Sequence, residues 1–203
     1  MAESRTSAPL AAHSILESYA ERFDAASAAA RVSMQPVAQQ FNVRVDPGSA
    51  SGRAVERVLG ATLPGALSCT SSADGLTVVW LGPDEWLVID PSGQKTLEAS
   101  LREAVGDDGA IVDQSGQRVS LLLEGDVPAL LAKGTSLDVD AGSFCEGTAL
   151  QGLLAQAVVI LVSRSNDASR VELLARTSFA RYVADWLLDA LADPLAYPAS
   201  HRG

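Results

Sequence analysis

From residue 33 onward the order of secondary-structure signals occurs twice, and this repetition limits the fold more than any other feature. In the first pass Phe41, Val43 and Val45 alternate with Asn42 and Arg44, the period of a strand with one buried face. Asp46-Pro47-Gly48 turns the chain into a helix at about Gly52 to Leu59, where Val55, Val58 and Leu59 share a side and Gly60 provides the stop. A meander follows. Asp74-Gly75 predicts a type I′ hairpin turn, and Gly82-Pro83-Asp84-Glu85 makes a second turn that sets Trp80 and Trp86 on opposite arms of one hairpin. A helix with Leu97, Leu101 and Val105 on one face closes the pass.

In the second pass Val119–Leu123 is a strand, and Gly125-Asp126 opens a short helix, Val127 to Lys133, with Pro128 in its first turn and Gly134 beyond its end. Strands are expected at about Thr148–Leu150, Val158–Ser163 and Val171–Ala175. A long helix then starts at a Thr177 or Ser178 cap, buries Phe179, Tyr182, Val183, Trp186, Leu187, Ala190 and Leu191, and ends at Pro194. The texts echo each other, RVLGATLP (57–64) against LLAKGTSLD (130–138). A single strand–helix–strand–strand–helix unit leaves a sheet face and edge uncovered, so two units are expected to pack together. The fold class is therefore α+β: two ferredoxin-like βαββα halves, antiparallel with helices outside, in one domain over 33–194 that divides at about 33–108 and 109–194. Residues 1–32 are read as an N-terminal arm with a helix from His13 to Ala30 that places Ile15, Leu16, Tyr19 and Phe23 at helical spacing, docked on its own domain or on a partner. Residues 195–203 are read as a tail.

Composition removes several function classes. The net charge of −10 and the absence of a dense basic run speak against nucleic acid. The longest apolar run, Leu153 to Val162, falls short of the roughly 20 residues that span a bilayer and is read as a buried strand. With no apolar leader in the text, the expected location is the cytoplasm, where Cys69 and Cys145 stay reduced and fill the core. The two histidines, His13 and His201, sit in peripheral segments that hold a general base poorly, and no C-x-x-C, H-E-x-x-H or glycine-rich phosphate motif occurs. The adjacent carboxylates Asp84-Glu85 and Asp107-Asp108 are read as solvated turn residues, and Trp80 with Trp86 as core or interface aromatics. No catalytic, cofactor-binding or metal residue is assigned.

Four segments together carry a family resemblance: WLGPDEWLV (80–88), RTSAPL (5–10), LAKGTSLD (131–138) and RTSFARY (176–182). The chain resembles the gamma subunit of heterotetrameric sarcosine oxidase over nearly its whole length. More distantly it is similar to the folate-binding region of the glycine-cleavage T-protein family, through IVDQSGQRV (111–119) and LEGD (123–126). The resemblance implies a noncatalytic structural subunit of a complex that oxidatively demethylates sarcosine to glycine, with hydrogen peroxide and either formaldehyde or methylenetetrahydrofolate as the other products. It also implies alpha, beta and delta partner subunits, contact mainly with the T-protein-like region of alpha, and FAD, FMN, NAD and zinc held by the other subunits. Under the alternative, a stand-alone folate-binding or one-carbon-transfer protein, Asp113 is the candidate carboxylate; its competing role is to fix a turn.

Overall fold

The computed structural model describes residues 14–26 and 29–193. His13, His201, Pro194, the whole RTSAPL text (5–10) and the tail (195–203) lie outside the described residues. The described chain begins with a 3-10 turn, Glu17–Tyr19, and a short helix α1, Ala20–Ala25, in place of one helix to Ala30. Leu16, Tyr19 and Phe23 are buried and dock on the chain's own core, whereas Ile15 is exposed.

Strand β1 (Ala30–Met34) is followed by β2 (Gln39–Val45), helix α2 (Ala50–Leu59), β3 (Cys69–Ser71), β4 (Thr77–Gly82), β5 (Glu85–Asp90) and helix α3 (Leu97–Val105). The second pass runs β6 (Gly109–Asp113), β7 (Arg118–Gly125), α4 (Val127–Ala132), β8 (Ala149–Leu154), β9 (Ala157–Ser163), β10 (Arg170–Arg176), a 3-10 turn (Thr177–Phe179) and α5 (Ala180–Ala192). Local chemistry sets both ends of α2. The Ser49 hydroxyl accepts the Gly52 amide at the start of α2, and Gly60 ends that helix in the left-handed region, φ 62°, which glycine adopts without strain.

Two five-stranded antiparallel sheets result, β3-β4-β5-β2-β6 and β1-β7-β10-β9-β8. Their orders match position for position once the repeat is superposed, with one exchange. β1, which opens the first pass, is the edge strand of the second sheet beside β7, while β6, which opens the second pass, is the edge strand of the first sheet beside β2. A division near residue 108 therefore follows the helices but crosses the strand pairing. The expected end of the arm at residue 32 likewise falls inside β1.

Three apolar clusters build the layers. Phe41, Val43, Trp86 and Val88 pack on α2 and α3, and Leu121, Leu123, Leu161 and Leu173 pack beneath α1, α4 and α5. The third cluster joins the two inner faces: Val79, Leu87 and Ile89 of one sheet against Ile160, Val162 and Leu174 of the other. A backbone seam ties β3 to β8, with the Cys69 amide donating to the Gly147 carbonyl (2.8 Å) and the Ala149 amide to the Leu67 carbonyl (3.0 Å). The order is helix, sheet, sheet, helix.

Several local expectations are corrected. The apolar run Leu153–Val162 is no single strand. It folds back as the β8–β9 hairpin at Ala155 (φ 50°), where the Gly134 carbonyl and the Tyr182 hydroxyl take up the amides of Ala155 and Gln156. At Asp74-Gly75 only Gly75 has positive φ, and the Ser72 carbonyl accepts its amide, so the loop is longer than a type I′ turn. Neither Thr177 nor Ser178 caps α5, because a 3-10 turn precedes the helix and the Thr177 hydroxyl donates to the Gly116 carbonyl (2.9 Å). Phe179 and Tyr182 are exposed, off the buried side of α5. Cys145 is exposed as well; only Cys69 is buried.

Candidate functional site

The inner faces are sealed by apolar side chains near the β3–β8 seam, and elsewhere a cavity of about 650 Å³ opens between the sheets. Gln40, Thr77 and Ile89 line it from the first sheet, Arg118 and Ser120 from the second, and Arg164 from just beyond the end of β9. Alternation puts them there. On β10 Val171, Leu173 and Ala175 face the helices, so Glu172 faces the cavity; on β7 Leu121 and Leu123 do the same and leave Arg118 and Ser120 inward.

Arg164 links the two sheets. Its guanidinium donates to Glu172 through Nε (3.1 Å) and Nη2, and through Nη2 to Thr77 Oγ1 across the cavity (3.1 Å). The Ser120 hydroxyl donates to the other Glu172 oxygen (2.6 Å). Both Glu172 oxygens are thus engaged, one by the guanidinium and the other by the hydroxyl.

Gln40, 2% exposed, donates from its backbone to Ser115 Oγ (3.1 Å) and from Nε2 to the Arg118 carbonyl (3.5 Å). Among the described residues its Oε1 has no hydrogen-bond partner. Arg118 Nη1 donates to Gln114 Oε1 (2.7 Å). Burial lowers the Arg118 pKa, the like charge of Arg176 lowers it further, and Glu85 acts in the opposite direction.

Asp113, the folate-type candidate, accepts the Ser115 amide (2.8 Å) and hydroxyl (2.6 Å). The hydrogen bonds from Ser115, side chain first, hold its pKa below the ordinary carboxylate value. The same Asp-x-Ser turn recurs where Asp90 accepts from Ser92 and where Asp167 accepts from Ser169, so Asp113 carries a local turn device of this chain. Asp84 and Glu85 both pair with Arg44 (3.1 and 3.0 Å), and Asp108 accepts the Ser51 hydroxyl (2.8 Å). Trp86 is buried on the helix side of its sheet and donates from Nε1 to the Pro64 carbonyl (2.9 Å), with Trp80 beside it across the hairpin. Neither indole faces the cavity. Among the described residues no group of three or more His, Cys, Asp and Glu side chains is arranged to hold a metal ion, and no helix is long and apolar enough to cross a membrane.

Sequence reasoning missed Arg118, Arg164, Glu172 and Gln40, since their contacts join strands far apart in the chain. The one available signal was parity: Glu172 interrupts the apolar text of β10 at a position that faces inward.

A family model described as Sarcosine oxidase, gamma subunit family, matches residues 44–193. The chain belongs to this family. The sarcosine oxidase subunit gamma of Corynebacterium sp. (strain P-1) is 33% identical over 189 residues, covering 91% of this chain and 92% of the relative. That of an Arthrobacter species is 32% identical over 181 residues, 87% of this chain and 88% of the relative. Among solved structures, a chain of the heterotetrameric sarcosine oxidase from Corynebacterium sp. U-96, in complex with pyrrole 2-carboxylate, superposes with a TM-score of 0.82 at 27% identity, over 93% of this chain and 99% of that one. The glycine cleavage system aminomethyltransferase T from Bartonella henselae shares the fold (TM-score 0.58, 16% identity) over 87% of this chain and 52% of that chain. The gamma-family fold is thus the mixed α+β architecture of two antiparallel sheets expected from the repeat.

Proposed function

We propose that this chain is the noncatalytic gamma subunit of a heterotetrameric sarcosine oxidase, a structural part of a complex that demethylates sarcosine oxidatively. The observation that carries the reading is the match over 91% of this chain in sequence, to a sarcosine oxidase subunit gamma, and over 93% in fold, to a chain of such a heterotetramer. Within the cavity Glu172 is paired with Arg164, and outside it Asp113 is engaged by its own turn. On this reading FAD, FMN, NAD and zinc belong to the alpha, beta and delta subunits, the T-protein-like region of alpha is the main neighbour, and the assembly works in the cytoplasm. The described body acts as one domain of two half-repeats, preceded by the arm.

Co-purification of the tagged chain from its native cell, with bound chains identified by mass, tests this directly. The expected result is a stoichiometric set of flavoprotein subunits. A solitary chain that binds tetrahydrofolate in calorimetry supports the one-carbon-transfer alternative instead.

A further inference from the structure

Arg118 and Arg176 are direct partners in the β7–β10 register. Side chains at opposite positions share a face about 5 Å apart, where like charges destabilise a sheet. The chain carries ten net negative charges, yet among the described residues neither guanidinium forms an ion pair. Arg118 has only the neutral Gln114 amide, and Glu85, the acid that acts on it, is held by Arg44 (3.0 Å) and Asn42 (2.7 Å).

The row continues across the sheet. Ala175 pairs with Val159, so the next step sets Arg176 beside Val158, and Val158 pairs with Leu153. By alternation all four residues lie on the face whose Ile160 and Leu174 fill the inter-sheet core. Ile160 and Leu174 are 4% and 1% exposed; Val158 and Leu153 are 51% and 53% exposed. The first sheet therefore stops covering the second one row short and leaves a strip with two cations at one end and two aliphatic side chains at the other. Across four strands the strip is about 15 Å long, the reach of four or five extended residues.

We propose that this strip receives an acidic segment of a partner subunit, one carboxylate seated between Arg118 and Arg176 and apolar side chains laid on Val158 and Leu153. The proposal rests on the subunit reading above. Charge complementarity selects the occupant: a carboxylate relieves the arginine repulsion and pairs a partly buried cation, which is the arrangement that makes an interfacial charge favourable. A second copy of this chain in a two-fold contact brings the strip against itself and offers the arginines only each other or Val158 and Leu153.

The test is co-expression of the tagged chain with the other subunits of its complex, comparing wild type, Arg176→Glu and Val158→Lys, with a photo-crosslinking residue at position 158 in a fourth sample. Arg176→Glu places a carboxylate beside Arg118, so the variant is expected to melt no lower than wild type while capturing at least tenfold less partner; Val158→Lys is expected to weaken capture as well. The crosslinked peptide is expected to contain Asp or Glu. Undiminished capture by Arg176→Glu, or crosslinks confined to peptides without acidic residues, overturns the proposal and leaves the subunit reading standing. A wild-type chain that captures no partner overturns both.

Discussion

Gly134 lies directly under the indole of Trp186: a Cβ at 134 would sit 2.9 Å from Cε2 and 3.0 Å from Cη2 of the ring. The glycine that ends α4 therefore serves close packing against α5. An aromatic ring has no flexible end with which to yield, so Gly134→Ala is expected to destabilise the fold by about 1–3 kcal/mol. Urea denaturation measures this, with the midpoint lowered and the slope unchanged. In a Trp186→Leu background the loss should shrink, which a double-mutant cycle reads as coupling.

The exchange of edge strands makes a second prediction. β1 completes the sheet of the second pass and β6 that of the first, so neither half owns its full set of strands. Unfolding should be a single transition by both tryptophan fluorescence and far-ultraviolet circular dichroism. Two separated transitions would show that the halves behave as independent units.

The repeat was legible because its signals are local. Alternation marked β2, glycine and proline marked the ends of α2 and α4, and Leu97, Leu101 and Val105 marked α3. The exchange of β1 and β6 was not, since partner choice depends on which sheet an edge strand reaches. The β8–β9 turn escaped notice because Ala155 carries no turn signal: its left-handed conformation is held by Gly134 and Tyr182 from outside the hairpin. The cavity was invisible for the same reason. Thr77 and Arg164 meet only once both sheets are packed.

Asp90 supplies a pH prediction. Burial opposes its charge, but the Ser92 hydroxyl (2.6 Å) and the amides of Gln94 (2.8 Å) and Ser92 (2.8 Å) outweigh burial and hold its pKa below 3.8. A depressed native pKa stabilises the fold fully above the unfolded value, and this contribution is lost as the pH falls through the lower native one. Asp90→Asn should therefore cost about 1–3 kcal/mol at neutral pH, where the donors lose a charged acceptor. Its stability curve should also be flatter than that of wild type in acid, below about pH 4. An unchanged acid limb in equilibrium unfolding would remove Asp90 from the account.

The two cysteines should differ in reactivity. Cys69 is 8% exposed, and burial raises its thiol pKa, with Arg164 pulling it down and Glu172 and Glu146 pushing it up, whereas Cys145 is exposed. A thiol-titrating reagent is expected to modify one group quickly in the folded chain and the second only in denaturant. Cys145→Ser should abolish the fast phase.

Under the proposed function, this chain contributes structure to a sarcosine-demethylating complex and performs no chemistry of its own. Peroxide production from sarcosine, followed with the visible absorption spectrum, tests it most directly when the purified chain is assayed alone and after recombination with its partner subunits. The expected result is a colourless, inactive chain that joins the partners in an active complex; flavin absorbance or sarcosine turnover by the isolated chain would overturn the proposed function.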